Sequence, residues 1–372
     1  MKILITGGLG FIGSALASSM IDHGHHVTLV DSLSPQIHGA IPCITPPVGA
    51  QLVRMDVRQL SEHPELIEAC DAVYHLAAET GTAQSMYRIA EYVGANDLGT
   101  ASLLEGIAKC TRRPARVVLA SSRSVYGEGA YVSTDAPDRI LQPASRSKVQ
   151  LEEGRWELSD SNGATLCPVP TPESMAFAPG SVYAATKASQ ELLLQSAASA
   201  LGFKATIFRF QNVYGEGQSL RNPYTGIISI FFNRARQGLE IPIYEDGLES
   251  RDFVHLSDVV RALVLAATAD LEPGTVMNLG SGEPTSVLSL ARSLLDAACL
   301  DAPIRITGQF RVGDIRHCYA DLTKARALIG YEPQISLSAG LQRFCAWAVA
   351  EPIHEDRSVM ATAELRARGL TN

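Results

Sequence analysis

Met1-Lys2-Ile3-Leu4-Ile5-Thr6-Gly7-Gly8-Leu9-Gly10-Phe11-Ile12-Gly13-Ser14 sets a short apolar run directly before three glycines spaced by three. Ile3, Leu4 and Ile5 read as a buried parallel strand. Ala15, Leu16 and Met20 continue at helical spacing, and Gly24 stands where that helix should stop. A strand that bends through glycines into a helix makes an anion site. The helix N-terminus carries unpaired N–H groups and about half a positive charge, and glycines let a diphosphate reach the backbone. The spacing is G-x-x-G-x-x-G rather than the commoner G-x-G-x-x-G. An ordinary strand–helix turn also uses glycine, so a second signal is needed. It comes from Asp31, which ends the next apolar run, Val27-Thr28-Leu29-Val30. An acid there accepts hydrogen bonds from the adenosine ribose and repels a 2′-phosphate, which points to NAD over NADP. Gly7, Gly10, Phe11, Ile12, Gly13, Asp31 and the adjacent Ser32 are the first candidate cofactor contacts.

The chain of 372 residues is 46% hydrophobic and 19% charged, which suits a globular enzyme with an ample core and two lobes. Its net charge of −8 argues against a nucleic-acid partner but not against an anionic small substrate. Cys43, Cys70, Cys110, Cys167, Cys299, Cys318 and Cys345 are scattered without a C-x-x-C pair, so no metal site is expected and reduced thiols in the cytoplasm are. His23, His25 and His26 sit at a helix end and read as solvated. Neither a secretory leader nor a transmembrane span is expected, hence no membrane partner.

Strand and helix patterns alternate along the chain. They predict an α/β fold, a Rossmann-like doubly wound parallel sheet with a smaller C-terminal substrate-binding lobe. Residues 51–54, 72–78, 116–122, 204–210 and 276–279 read as further strands. Asp56-Val57 follows the third strand, where Asp56 either faces the adenine or caps a helix. The run 72–78 ends in Leu76, Ala77 and Ala78, small enough to admit cofactor backbone contact, and Asn96 lies near the next helix start. Strand 116–122 ends in Ser121 and Ser122 at the carboxyl edge, where such sheets bind ligands. The expected division is a cofactor-binding lobe over 1–215, a substrate lobe over 216–350 and a charged, frayed tail over 351–372. Helix 257–269 should return to the first lobe. An insertion over about 128–180, loop-like but with one helical piece near 149–158, is either a lid or a surface excursion.

Helix 181–201 carries Tyr183 and Lys187 at i and i+4, hence on one face. A free tyrosine has a pKa of about 10. A nearby ammonium favours the phenolate; a shift of ~3 units needs about 4 kcal/mol. A Y-x-x-x-K match alone is common. Behind a glycine fingerprint and a Ser-tipped fifth strand it is specific.

Together these residues resemble the extended short-chain dehydrogenase/reductase family of NAD-dependent nucleotide-sugar epimerases and dehydratases. The resemblance rests on residues 6–13, Asp31, Asp56-Val57, His75-Leu76-Ala77-Ala78, Asn96, Ser121-Ser122, Val125-Tyr126-Gly127, Tyr183-x-x-x-Lys187, Arg209-x-x-Asn212-Val213-Tyr214-Gly215 and Arg251-Asp252-Phe253-Val254-His255. It spans roughly residues 1–345 apart from the insertion. It implies Tyr183 as acid/base, Lys187 on the nicotinamide ribose, Ser122 on the reacting hydroxyl, and cofactor contacts that include Asn96 and Phe210. On the substrate side it implies Asn212 and Arg251 at the diphosphate, Tyr244 near the base, and Arg311 and Asp314 at phosphate and ribose. Glu79, Thr82 and Arg123 complete the substrate set, and a homodimer is the usual assembly.

The 4,6-dehydratases of this family carry an Asp-Glu pair directly after the strand-five Ser or Thr. Here Arg123 and Ser124 stand there, and an arginine cannot transfer that proton. The resemblance therefore implies a 4-epimerase working through a 4-keto sugar. The run 121–129, Glu79-Thr80-Gly81-Thr82 and the insertion resemble the branch acting on dTDP-L-rhamnose and dTDP-6-deoxy-L-talose. Cys318 falls where UDP-galactose 4-epimerases set sugar-size selectivity. It leaves open a UDP-hexose or UDP-N-acetylhexosamine substrate, or a plain packing role. Another NAD-dependent nucleotide-sugar oxidoreductase of the same family is the remaining alternative.

Overall fold

Seven parallel strands form the central sheet: β1 (Lys2–Thr6), β2 (His26–Asp31), β3 (Gln51–Arg54), β4 (Ala72–His75), β5 (Arg116–Ser122), β6 (Lys204–Phe210) and β7 (Thr275–Leu279). Their spatial order is β7-β6-β5-β4-β1-β2-β3, every pairing parallel. The order reverses beside β1, so the crevice at the carboxyl ends of β1 and β4 is the switch point at which such sheets bind ligands. The computed structural model describes residues 1–39, 45–222, 224 and 226–371.

Both sheet faces are covered, which explains the unbroken apolar runs of the strands. Helices α1 (Phe11–Asp22) and α4 (Leu256–Thr268) cover one face, with Leu16, Met20, Val259 and Leu263 packed on Ile3, Leu29 and Tyr74. The Tyr74 hydroxyl donates to the Leu263 carbonyl at 3.0 Å. Helices α2 (Gly99–Lys109) and α3 (Val182–Leu201) cover the other, with Leu103, Ile107, Leu194 and Ala198 against Val73, Val117 and Ile207. Ser181 caps α3, accepting from the Ala184 N–H at 3.2 Å.

The glycine bend is sterically fixed. Gly7 has φ +67°, and a Cβ there would lie 2.8 Å from the Ala77 nitrogen. A Cβ on Gly13 would lie 2.1 Å from the Gly7 carbonyl oxygen. The same bend shortens β4 relative to the expected 72–78. Leu76 N–H still reaches the Thr6 carbonyl, but Ala77 N–H finds only the Thr6 hydroxyl, at 3.2 Å, because β1 has turned away.

A second lobe gathers around the strand Ser250–His255, which pairs in parallel with Asn212–Tyr214 and His317–Cys318 and antiparallel with Pro284–Ser286. Helices Ile227–Arg236, Val287–Ala298 and Leu337–Ala350 enclose its core of Phe231, Phe232, Leu290 and Phe344. The insertion is not loop-like throughout. Tyr131–Ser133, Ala136–Leu141 and Leu166–Pro168 make a small antiparallel sheet. Its helix is only Lys148–Glu152, stopped by Gly154 at φ +68°. Ion pairs hold the insertion to the second lobe, a buried one from Arg146 to Glu245 at 2.7 Å and one from the buried Arg316 to the exposed Glu157 at 2.5 Å. The expected frayed tail is instead a helix over Ser358–Ala367. Ala361 and Leu365 are buried, and Arg234 pairs with Asp356 just upstream. Cys70, Cys110, Cys167, Cys299, Cys318 and Cys345 are free, and Cys43 lies outside the described residues. Among the described residues no helix is long and apolar enough to cross a membrane.

His75 at the end of β4 is fully buried between the Thr6 and Thr100 hydroxyls, at 2.8 and 2.9 Å. Burial, aided by the nearby Lys187 charge, pushes the imidazole from its usual 6.5 down to about 3. The unfolded chain therefore gains a proton below 6.5 that the folded chain refuses. The stabilisation is complete above pH 6.5 and is lost as pH falls toward 3. One such proton gives a slope of about 1.4 kcal/mol per pH unit. In His75→Gln the pH slope of unfolding free energy between 6.5 and 3 should flatten by up to about that amount, measured by chemical denaturation across that range.

Candidate active site

A cavity of ≈ 470 Å³ opens over the glycine bend and crosses the carboxyl ends of β4, β5 and β6. Gly7, Gly10, Phe11, Ile12 and Gly13 line its floor. Gly10 is the N-cap of α1, and no side chain caps that helix, so its first turn keeps donors for a ligand. Leu76, Ala78, Thr82 and Phe210 form further walls, with Ser122, Arg123, Tyr183 and Lys187 at the far end.

The other sequence-derived cofactor residues stand just behind that lining. Asp31 is 8% exposed and accepts the Leu9 N–H at 2.9 Å and the Leu33 N–H at 2.8 Å, with His38 at 3.7 Å. Burial opposes its ionisation, but His38 and the Leu33 and Leu9 N–H groups outweigh it and hold the carboxyl below its usual range. Ser32 beside it is exposed. Asp56 has the cap geometry: it accepts the Arg58 N–H at 2.9 Å, Gln59 completes the capping box, and Arg58 pairs with it at 2.6 Å. Val57 packs against Gly99, and Ala77 against Gly7. Asn96 is a buried tie. Its Oδ1 accepts the Glu79 N–H at 2.8 Å, and its Nδ2 donates to Thr186 Oγ1 at 2.9 Å, which in turn donates to the Tyr183 carbonyl. Glu79 is thus fixed by its backbone and does not line the cavity, whereas Thr80 and Thr82 do.

Tyr183 is held by its own N–H, which donates to Ser85 Oγ at 3.0 Å, and by an edge-on Tyr92 ring at 6.5 Å. Its phenol shares this end of the cavity with Ser122, whose hydroxyl accepts from the Ser124 N–H and Oγ at 3.2 and 3.0 Å. The expected tuning by Lys187 is not what the geometry gives. The Lys187 ammonium donates to the Ala120 carbonyl at 2.8 Å and sits 6.0 Å from the Tyr183 ring centre. Burial pushes this amine down to about 8, with Glu191 and Asp97 pulling the other way. Burial also raises the Tyr183 phenol, and the groups that offset it are Ser122 and Arg123. The amine is drawn to the strand carbonyl that α3 packs over, and Arg123 is left as the cation acting on the phenol.

An adjoining cavity of ≈ 210 Å³ shares Asn212 and Tyr224 with the first and is lined by Tyr244, Arg251, Arg311 and Asp314. Arg251 donates to Asp314 at 2.9 Å and to three backbone carbonyls. Arg123 donates to Asn212 Oδ1 at 2.9 Å. Burial and the neighbouring Arg251 charge pull Arg123 below its ordinary value. For Asp314, burial is outweighed by Arg251, Arg311 and Arg123, which hold it ionised. The Arg311 guanidinium lies 4.5 Å over the Tyr244 ring, and its buried Nε has no hydrogen-bond partner among the described residues. Three guanidiniums act on Asp314, with Glu249 as a second carboxylate in the lining, a set of donors that suits an anionic ligand. Cys318 is buried against Thr171, Sγ to Oγ1 3.9 Å, and lines neither cavity, which is the packing role.

Sequence reasoning missed Tyr224, Gln211 and the tail-helix wall of Ser358, Ala361, Thr362 and Leu365. The tail residues fall at i, i+3, i+4 and i+7, a readable helical face masked by charged neighbours.

Comparison with known proteins agrees with this geometry. The NAD dependent epimerase/dehydratase family matches residues 3–172 and 165–280. A dTDP-L-rhamnose 4-epimerase of Burkholderia thailandensis is 39% identical over 354 residues, covering 94% of this chain and 95% of that one. A UDP-glucose 4-epimerase of Thermotoga maritima, solved with UDP-glucose, superposes with a TM-score of 0.75 at 29% identity, covering 93% of this chain and 98% of that one. MoeE5, solved with UDP-glucuronic acid and NAD, has a TM-score of 0.75 at 27% identity over 94% of this chain and 99% of its own.

Beneath the catalytic end lies a buried ion pair. Glu191 of α3 receives Arg209 of β6 through Nη2 at 2.8 Å and Nε at 3.0 Å, and Ser121 donates to the same carboxylate. The guanidinium stacks on Tyr126 at 4.7 Å. Arg209→Met strands the Glu191 charge and should cost about 3–5 kcal/mol, whereas a paired Glu191→Leu, Arg209→Met protein should recover much of that loss. Denaturation midpoints of the two proteins decide this.

Proposed function

The chain belongs to the NAD dependent epimerase/dehydratase family, and from that premise we propose that it interconverts dTDP-L-rhamnose and dTDP-6-deoxy-L-talose by inversion at C4. The class, an NAD-dependent nucleotide-sugar epimerase, follows from the family and its solved neighbours. The choice of sugar is supported by the Burkholderia relative, alike over nearly its whole length. The observation that carries the reaction type is Tyr183 at one cavity end with Ser122, Arg123 and Ser124, where no carboxylate lines the cavity among the described residues.

The residues present fit NAD. The bend excludes Cβ atoms at Gly7 and Gly13, and the uncapped α1 turn offers N–H groups to a diphosphate. When bound, NAD supplies the hydride acceptor at C4 of the sugar and gives the hydride back on the opposite face. Tyr183 takes the O4 proton as the C4–H bond breaks and returns it when the 4-keto sugar is reduced again. Ser122, lining the same end of the cavity, orients the O4 hydroxyl. Arg123 favours the phenolate electrostatically, and Lys187 would hold the nicotinamide ribose when the cofactor is bound. Asn212, Arg251 and Arg311 hold the diphosphate, and Tyr244 lies beside the base. The six free thiols described suit a reducing, cytoplasmic setting.

A homodimer is part of this reading. Exposed apolar side chains cluster in two neighbouring segments, Ile89, Val93 and Leu98 before α2, and Leu192 and Leu193 on α3. Light scattering after gel filtration should give twice the chain mass; the monomer mass would remove the dimer.

Incubated with dTDP-L-rhamnose, the protein should yield the talo epimer without accumulating NADH. Conversion of UDP-hexoses alone would transfer the reading to those substrates, and stoichiometric NADH would replace epimerisation by net oxidation. Tyr183→Phe should lower kcat by about 10²–10⁴-fold while NAD stays bound, as chromatography of the denatured protein would reveal.

A further inference from the structure

The tail after Pro352 has no part in the chemistry above, yet it forms one side of the ≈ 210 Å³ cavity. Ser358, Ala361, Thr362 and Leu365 share one face of the tail helix and line the cavity opposite Tyr244 and Arg311. Thr362 Oγ1 lies 3.4 Å from the Tyr244 hydroxyl. Both ends of the tail are tied down. Upstream, Asp356 pairs with Arg234 and caps Ser358 at 2.9 Å. Downstream, Leu370 accepts the Val312 N–H at 3.1 Å and Thr371 donates to the Phe310 carbonyl at 2.7 Å, so the tail grips the loop that carries Arg311.

The middle of the helix is fastened across the site. Glu364 accepts from the Tyr87 hydroxyl at 2.7 Å and from the Tyr224 hydroxyl at 3.2 Å. Tyr87 precedes α2 on the first lobe, and Tyr224 belongs to both cavities. Arg368 reinforces the contact, its guanidinium 4.3 Å over the Tyr87 ring. A carboxylate-to-phenol bond is a charge-assisted one, and Glu364 is only half-buried, so water competes for both bonds.

We infer that the helix Ser358–Ala367 is a working wall of the ligand site, seating a nucleoside diphosphate against Tyr244 and Arg311, with Glu364 as the positioning residue that latches it shut. The inference rests on the nucleotide-sugar reading above. The small side chains at 358, 361 and 362 give the slot its depth, and the unpartnered Arg311 Nε inside it marks where an anionic group belongs. The latch adds no chemistry. It shifts how tightly the diphosphate end is held, and so should govern KM rather than kcat.

The test uses the full chain with its cofactor and dTDP as the probe, followed by titration calorimetry. Ala361→Trp should weaken dTDP at least about tenfold with NAD content and Tm unchanged, while Ala363→Trp on the exposed side of the helix binds as the parent does. Glu364→Ala should raise KM about five- to tenfold with kcat within about twofold. Glu364→Gln, which keeps an acceptor oxygen, should restore most of that KM. Equal dTDP affinity in the parent and a folded Ala361→Trp would overturn the wall. If Ala361→Trp does not fold, an unchanged KM in Glu364→Ala overturns the proposal by itself. A parent protein that binds neither dTDP nor UDP would instead strike at the nucleotide-sugar reading, and the wall would fall with it.

Discussion

Two backbone segments share one narrow slot at the carboxyl end of β1, and the architecture of the site follows from their contact. The loop at Ala77 leaves Gly7 no room for a side chain, and the bend itself, through the Gly7 carbonyl and Gly8, leaves none at Gly13. Because the first turn of α1 is pressed onto that bend, its unpaired N–H groups point over the sheet edge rather than into the core. Thr6 secures the arrangement with one hydroxyl shared between His75 and the Ala77 N–H. From His75 the polar chain runs through Thr100 and Gln190 into α3, the helix that carries Tyr183 and Lys187. The glycine-bend floor and the Tyr183 end of the cavity are therefore parts of one hydrogen-bonded frame, which fixes their separation.

The charges of the site suit a charged ligand. Burial raises the Tyr183 phenol, which keeps it protonated, and lowers the Lys187 amine to about 8, which leaves it largely an ammonium at neutral pH. Arg123, Arg251 and Arg311 hold Asp314 ionised, and Glu249 lines the same cavity as a second carboxylate. An anion there relieves the mutual repulsion of the guanidiniums, and a cationic ring near the phenol favours its ionised form. On the proposed function, binding and activation are thus coupled through electrostatics.

Most of the sheet was legible because its strands are short β-branched runs bounded by turns, and the glycine bend and the Tyr183–Lys187 pair could be read directly. The fifth strand, Arg116–Ser122, and the sixth, Lys204–Phe210, fall on the residues expected. Other features depend on partners that no local pattern reveals. Asp56 had two chemically equal readings, and only the positions of Arg58 and Gln59 assign it as a cap. The Lys187 amine was expected at the phenol, but the Ala120 carbonyl lies nearer. The tail was expected to fray because its residues are polar and charged; its order comes from Arg234, Tyr87, Tyr224 and the Phe310–Val312 loop, all far away in sequence.

The strand order has a bearing on how the chain is made. β1 to β4 lie within the first 75 residues and can pair early, whereas the helix that covers their shared face, α4, begins only at Leu256. Until then Ile5, Leu29 and Tyr74 have half of their apolar neighbours missing, and Ala325, Ile329 and Tyr331 arrive later still. During synthesis a nascent chain presents this sticky sheet face for the time needed to translate the intervening stretch, on the order of ten seconds or more. Holding chaperones and slow, non-local closure are accordingly built into the biogenesis of this topology, and a fragment ending before α4 would be an aggregating polypeptide rather than a free-standing cofactor module.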